Sequence, residues 1–471
     1  MIKIIKFSLV VGLLIGFTGC SKELDTEPQQ SVLDITTIDQ LRSQLFGAYS
    51  ALKNTNYYGG ASGTASAWSS LGEVMGDDFI EALESLGNWR QLAEWRYPAD
   101  DGAVAGAYQA AYIVIGRAND VLRFTGRFES GATADEAKQI KAQALALRAH
   151  AHFDLMRCFA QSLRRNSDSL GVTYMTSINP NDPFAVLPAR NTVKACYDQF
   201  YSDLDEALSL FRAAGNPSRA DLSIIDSNVV HCIKARAGLY NGNFSDAINS
   251  STIVINNKPL ASPEDWPGIW DNSNNEELLW VIPSDATLRP GFPNNGVTAA
   301  YRVSNAISDI VFSPAGGVRS ANTAIRRNVA GVGGISRTLM FKYEGTKNFN
   351  VFRTAEMYLI RAEAKFRLGD ATSLDDLNEL RDQRDVAEGT ESGADLFNAI
   401  MLERRIELLG EGHRWFDIKR TTRTVTKPEC GTVDGSLQNI CTVASDSRSW
   451  IWPIPISQII LNPKLIQNQG Y

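Results

Sequence analysis

Histidine is scarce in this chain, with four in 471 residues. His150 and His152 lie two apart, so on a helix they point to different faces and do not converge on one metal ion. Locally recognisable catalytic motifs are missing as well: no Gly-x-Ser-x-Gly elbow, Walker A loop, Gly-x-Gly-x-x-Gly fingerprint, His-Glu-x-x-His or Cys-x-x-Cys occurs. Gly331-Val332-Gly333-Gly334 lacks the flanking strand and helix of a phosphate cradle and reads as a turn. No cofactor is implied. Lys and Arg (46) are outnumbered by Asp and Glu (53), for a net charge of −7. Without a dense basic run, the footprint that nucleic acid needs is absent. Beyond the first residues there is no long apolar run, yet 44% of the chain is hydrophobic. That is enough for a large core in one big domain or two fused lobes.

The N-terminus carries its own message. Lys3 and Lys6 precede an apolar run from Phe7 to Phe17, and Thr18-Gly19 places small residues before Cys20. The run has the length of a signal h-region and falls short of the roughly 20 residues of a membrane-spanning helix. This pattern predicts a lipoprotein signal over 1–19, with Cys20 as the lipidated first residue of the mature protein and a polar tether over 20–36. Acyl chains would then hold the protein at a lipid bilayer, each buried CH₂ contributing about 0.8 kcal/mol. One departure is Phe17, where such signals usually carry Leu.

Cysteine usage is otherwise sparse. Cys158, Cys196 and Cys232 sit singly in helical patterns and read as small buried hydrophobes. Cys430 and Cys441 flank a Gly-containing loop, and export permits a disulfide between them.

Apolar residues recur at spacings of three and four along most of the chain. The spacing predicts helices over 38–52, 103–124, 134–161, 192–213, 227–240, 246–256, 353–368, 373–384 and 394–409. Two stretches repeat a pattern: Ala235-Arg236-Ala237-Gly238-Leu239-Tyr240 leads into a Gly242-Asn243 turn, and Arg361-Ala362-Glu363-Ala364 leads into Gly369-Asp370. Small residues that let paired helices approach, followed by a Gly turn, are tetratricopeptide-like. The units are too far apart for one uninterrupted array. Residues 258–350 differ, being rich in Pro, Gly and Asn, with strands expected only over 277–283 and 338–343. Residues 54–95 form a second loop-rich region. Loops on a rigid scaffold commonly carry binding groups.

Carboxylates cluster at Glu73, Asp77, Asp78, Glu81 and Glu84. Two placed acids suffice for glycoside hydrolysis, so the spacing is compatible with a hydrolase; the plainer reading is a capped helix boundary.

Near the end, Glu403-Arg404-Arg405-Ile406-Glu407-Leu408 is followed by Gly410-Glu411-Gly412-His413-Arg414-Trp415-Phe416-Asp417-Ile418-Lys419-Arg420, then Trp452-Pro453-Ile454-Pro455, Asn462-Pro463 and Gln467-Asn468-Gln469-Gly470-Tyr471. These elements resemble the C-terminal signature of the SusD/RagB family. The resemblance implies an all-α, tetratricopeptide-like fold with loop and short-strand insertions. It divides the chain into an N-terminal helical region over 37–257 and a C-terminal region over 258–471 that holds the 258–350 insertion. It also implies a nutrient-binding lipoprotein of the cell outer membrane, facing the cell surface. Such a protein captures an oligosaccharide, or a peptide, and delivers it to a SusC-type TonB-dependent transporter without catalysis. A scaffold for protein partners only and a surface hydrolase are the alternatives.

Within the signature, Glu403, Arg404, Glu407 and Leu408 are spaced for i,i+4 pairing on a helix, with Arg405, Arg414 and Asp417 extending a buried network and His413 a core residue. For ligand capture, aromatic rings stack on sugar faces and neighbouring polar groups bind hydroxyls. The candidates are Asn88, Trp89, Arg90 and Trp95, at about the place where related glycan binders carry a platform, with Asp78 in the acidic stretch before them and Tyr57, Tyr58 and Tyr301 as further loop residues. Trp68, Trp266, Trp270 and Arg302 are weaker candidates.

Overall fold

The computed structural model describes residues 34–59, 67–85, 87–177, 187–217, 220–284, 300–331, 334–343, 346–431 and 438–471. Cys20 and the expected signal and tether up to residue 33 lie outside them.

Helices dominate. They are α1 (Ile38–Ala51), α2 (Ala67–Val74), α3 (Arg90–Ala93), α4 (Gly102–Thr125), α5 (Ala134–Phe159), α6 (Val193–Ala213), α7 (Ser227–Asn241), α8 (Phe244–Asn257), α9 (Asn305–Val311), α10 (Thr354–Leu368), α11 (Ser373–Asp382), α12 (Gly393–Glu407), α13 (Arg414–Thr421) and α14 (Ile456–Leu461). Every long helix falls within two residues of the span its apolar period predicts. Side chains define several starts: Thr37 and Gln40 form a capping box on α1, Asp101 accepts from the Ala103 and Val104 amides, and Asp226 accepts from the Val229 amide of α7.

α4 and α5 pack along each other, α5 packs on α6, and α1 lies over α4 and α5. The two tetratricopeptide-like hairpins, α7/α8 and α10/α11, stack through α8 against α10 although residues 258–353 separate them in sequence. Each hairpin turns at a left-handed glycine, Gly242 (φ 87°) and Gly369 (φ 75°), a conformation other residues resist. Ala235, Ala237 and Gly238 on α7 and Ala355, Ala362 and Ala364 on α10 are buried, and Gly238 lies directly against Ala247 of α8.

The insertion supplies strands β2 (Leu278–Ile282), β3 (Tyr301–Val303), β4 (Ile325–Ala330), β5 (Ser336–Met340) and β6 (Phe349–Arg353). β1 (Phe79–Glu81), from the other loop-rich region, joins them in a four-stranded antiparallel sheet ordered β1-β3-β5-β4, with Glu81 opposite Tyr301. β2 and β6 form a separate pair. The two loop-rich regions are therefore one structural unit. A last hairpin, β7 (Val425–Thr426) with β8 (Thr442–Val443), is closed by the Cys430–Cys441 disulfide, whose Cα atoms are 5.4 Å apart. Cys158, Cys196 and Cys232 are free and buried. Among the described residues, no helix is long and apolar enough to cross a membrane.

Candidate functional site

The signature stretch is interior. Glu407 is fully buried and accepts from Arg353, Arg384 and Arg319, and Glu277 accepts from Arg353 (2.9 Å) and Arg384 (2.7 Å). Glu411 takes Arg353 and the Lys342 ammonium (2.8 and 2.7 Å), and Glu403 takes Arg319. Four carboxylates thus meet four cations in the core. The i,i+4 pairs expected along α12 do not form. Each charge is satisfied instead by a group distant in sequence, because a helix side facing the core meets other elements rather than its own next turn. The network ties the insertion to the helical scaffold. Burial pushes the Glu407 carboxyl up, but Arg384, Arg353 and Arg319 overcome this and hold it well below the usual carboxylate range. His413, buried among arginines, is kept far below the ordinary histidine value and stays neutral. It is a core residue. His150 and His152 are likewise buried, at about 4 and about 3, and bond to the Tyr58 hydroxyl and to the Met175 amide respectively.

The acidic cluster is equally committed. Glu73 accepts the Gly412 and His413 amides (2.8 and 3.0 Å), and burial followed by the Asp78 charge raises its pKa to about 8. Gly72 allows that approach: a Cβ there would lie 2.2 Å from the Gly412 carbonyl oxygen. Asp77 pairs with Arg414 (2.5 Å), Asp78 with Arg405, Glu81 with Arg90 (2.7 Å) and Glu84 with Arg337. Each of these five carboxylates is thus held by backbone amides or by an arginine of the protein itself.

Most of the aromatic candidates also turn inward. Tyr57 and Tyr58 are 0% and 3% exposed, because both hydroxyls donate to the buried Asp154 carboxylate (2.6 and 2.8 Å). Trp95 donates its indole N–H to the Met75 carbonyl (2.9 Å) and stacks on Trp415. Asp78 is locked by Arg405. Tyr301 is buried and donates its hydroxyl to the Asn88 carbonyl (2.9 Å). All five side chains are buried and bonded to groups of the protein itself. Trp68, Trp266, Trp270 and Arg302 are buried as well.

What stays at the surface is the turn between β1 and α3. Asn88 is exposed, and Trp89 and Arg90 are half-buried. Trp89 holds a left-handed backbone (φ 60°, ψ 12°) and packs against the two largest apolar clusters, one of the helical scaffold and one of the sheet. Non-glycine residues avoid that conformation unless their surroundings fix it. The turn is fixed on three sides. Tyr301 of β3 holds its Asn88 carbonyl, Glu81 of β1 holds Arg90, and Gln438 and Asn439 of the disulfide hairpin bond the Ala93 carbonyl (2.9 Å) and the Glu94 carboxylate (2.6 Å). The structure therefore brings Asn88, Trp89, Arg90 and Tyr301 together, with Tyr301 as the support. Gln438, Arg337 and Glu429, which pairs with Arg302, belong to the same setting. No local signal marks them, since their partners lie more than a hundred residues away. An exposed amide, a half-buried indole and a half-buried guanidinium are groups that can stack on and hydrogen-bond a neutral polar ligand.

Comparison with known proteins gives two family-model matches. Residues 336–471 match the SusD family, and residues 24–216 match a family described as starch-binding and associating with the outer membrane. Among curated relatives, a SusD-like protein of Formosa agariphila is 36% identical over 135 residues, 26% of this chain and 25% of that protein. The starch-binding protein SusD of Bacteroides thetaiotaomicron is 36% identical over 122 residues, 26% of this chain and 21% of that protein. These matches thus span about a quarter or less of the relatives' length. A solved SusD superfamily structure from Bacteroides vulgatus superposes with a TM-score of 0.78 at 22% identity, covering 93% of this chain and all of that one (100%), which shows the fold.

Proposed function

The chain belongs to the SusD family, and from that premise we propose that it is a nutrient-binding lipoprotein of the outer membrane surface, anchored through Cys20. The nutrient is an oligosaccharide. It lies on the Asn88-Trp89-Arg90 turn, with the Trp89 ring against a sugar face and the Asn88 amide and Arg90 guanidinium on hydroxyls. The bound sugar then passes to a SusC-type TonB-dependent transporter, and no bond is made or broken on the way.

The observation that carries this reading is the half-open Trp89, held in a left-handed backbone at the seam between scaffold and sheet. Strain of that kind is retained where surrounding contacts over-determine it, and it clusters at ligand clamps. The committed carboxylates of residues 73–84 support binding over hydrolysis. The matched relative from Bacteroides thetaiotaomicron, named as starch-binding, supports a glycan. A glycan array followed by calorimetry on the best binder tests the reading. We expect Trp89→Ala to weaken affinity by at least about tenfold, as for a buried aromatic anchor. Unchanged affinity would reject the placement, and turnover of the glycan would reject the non-catalytic role.

A further inference from the structure

Away from the Asn88–Arg90 turn, a cavity of about 310 Å³ opens between the segment after α5, the α7/α8 hairpin and α13. It lies beyond a column of tryptophans: Trp95 stacks on Trp415, Trp415 on Trp450 (4.3 Å), and Arg423 at the cavity sits 5.9 Å from the Trp450 ring. The volume is at the small end of ligand pockets, about 300–1,000 Å³. Its wall combines apolar side chains, including Leu239 and Phe244, with Arg164, Arg367, Lys419, Arg420 and Arg423 against one carboxylate, Glu363.

That single carboxylate is already used. Arg420 grips both Glu363 oxygens (2.6 and 2.7 Å) and also bonds Asp417 (2.9 Å), while Arg367 approaches Glu363 at 3.4 Å. Lys419 is buried with only the Arg157 and Cys158 carbonyls as acceptors (2.6 and 3.5 Å). Among the described residues, no carboxylate pairs with Arg164, Lys419 or Arg423. A positive, uncompensated cavity in a chain of net charge −7 is electrostatically selective for anions. A second observation points the same way. Tyr240 lines the cavity at 2% exposure, and among the described residues its hydroxyl has no hydrogen-bond partner. Burial raises its pKa, so the hydroxyl remains a donor. A buried donor left unpaired is unfavourable unless something polar occupies the space before it.

We propose that this cavity binds a single sugar ring carrying a carboxylate or sulfate ester, with the anionic group among Arg164, Lys419, Arg423 and the Tyr240 hydroxyl and the ring's apolar face on Phe244. The site is separate from the nutrient face and does not depend on it.

Calorimetry on the full-length protein in detergent tests this with sodium D-glucuronate, D-glucose 6-sulfate and D-glucose. We expect at least one acid to bind and glucose to bind at least about tenfold more weakly, with the preferred acid identifying the charged group. Tyr240→Phe, and separately Arg423→Ala at an exposed position that leaves the fold intact, should each weaken the acid by about tenfold, the range for a hydrogen bond to a charged group. Trp89→Ala should leave this binding unchanged even if it abolishes glycan capture. Absence of binding by both acids, equal binding of glucose, or an Arg423→Ala variant with unaltered affinity would overturn the proposal.

Discussion

The signature network around Glu407 and the turn at Trp89 are both dense in charge and aromatic rings, yet they end differently. In the network, each carboxylate meets two or more donors and each cation is enclosed. At the turn, Asn88 is exposed, and Trp89 and Arg90 are only half-buried. Chemical density therefore does not locate a site. What distinguishes the two regions is unspent capacity: groups fixed in place by neighbours but not saturated by them.

The sharpest way to break this contrast is to attack the network. Arg353 holds Glu277, Glu407 and Glu411 together in the core. Arg353→Met should strand those carboxylates and destabilise the fold by about 3–5 kcal/mol, read by denaturant unfolding. A loss below about 1 kcal/mol would show the network to be dispensable. Next in size is the disulfide hairpin that braces the turn. Replacing Cys430 and Cys441 with Ser opens a loop of separation 11 and should lower stability by about 2–3 kcal/mol in the chain-entropy model. The same variant should weaken glycan binding, because Gln438 and Asn439 lose their hold on residues 93–94.

Stability against pH sharpens the contrast further. Glu411, like Glu407, is held below its ordinary value: burial opposes this, but Arg353 and Lys342 prevail. A folded pKa below the unfolded one means that the contribution is complete above about 4.3 and is lost as pH falls through the folded value. Glu73 behaves in the opposite way. Its folded pKa of about 8 lies above the unfolded one, so its contribution is complete below about 4.3 and is lost as pH rises through about 8. Melting temperatures from about pH 3 to about pH 9 should fall at the acid end and decline again toward pH 8. Glu73→Gln, which keeps the acceptor for the Gly412 and His413 amides, should remove the second decline only. The smallest stability effect is expected at the turn, where Trp89→Ala keeps a non-glycine residue in the left-handed backbone and loses only the packing of a half-buried side chain, for a net change of about 1 kcal/mol or less.

How far the sequence led depends on the range of the interactions involved. Helices such as α4 through α8 and α10 follow from apolar spacing because helix burial is periodic and local. Gly242 and Gly369 mark their turns for the same reason. The short strands β1, β3 and β4 were not expected, since three to six residues hold too little periodicity and their pairing joins residues 79–81 to 301–303. Tyr57 and Tyr58 look like a loop platform until Asp154, nearly a hundred residues on, is seen to take both hydroxyls. The i,i+4 expectation for Glu403 and Glu407 failed for a related reason: helix spacing says which side chains are neighbours, not which way the core lies. Asn88-Trp89-Arg90 and Tyr301 are legible as candidates, but the role of Tyr301 as a support and the contribution of Gln438 are not.

The most direct measurement compares two variants in two readouts. Trp89→Ala and Arg353→Met are each assayed by calorimetry with an array-selected glycan and by denaturant unfolding. We expect Trp89→Ala to lose at least about tenfold in affinity with near-native stability, while Arg353→Met loses stability and, under conditions where it remains folded, retains native affinity. If Trp89→Ala binds normally, or if folded Arg353→Met fails to bind, then the turn is not the site and the signature network is not merely its scaffold.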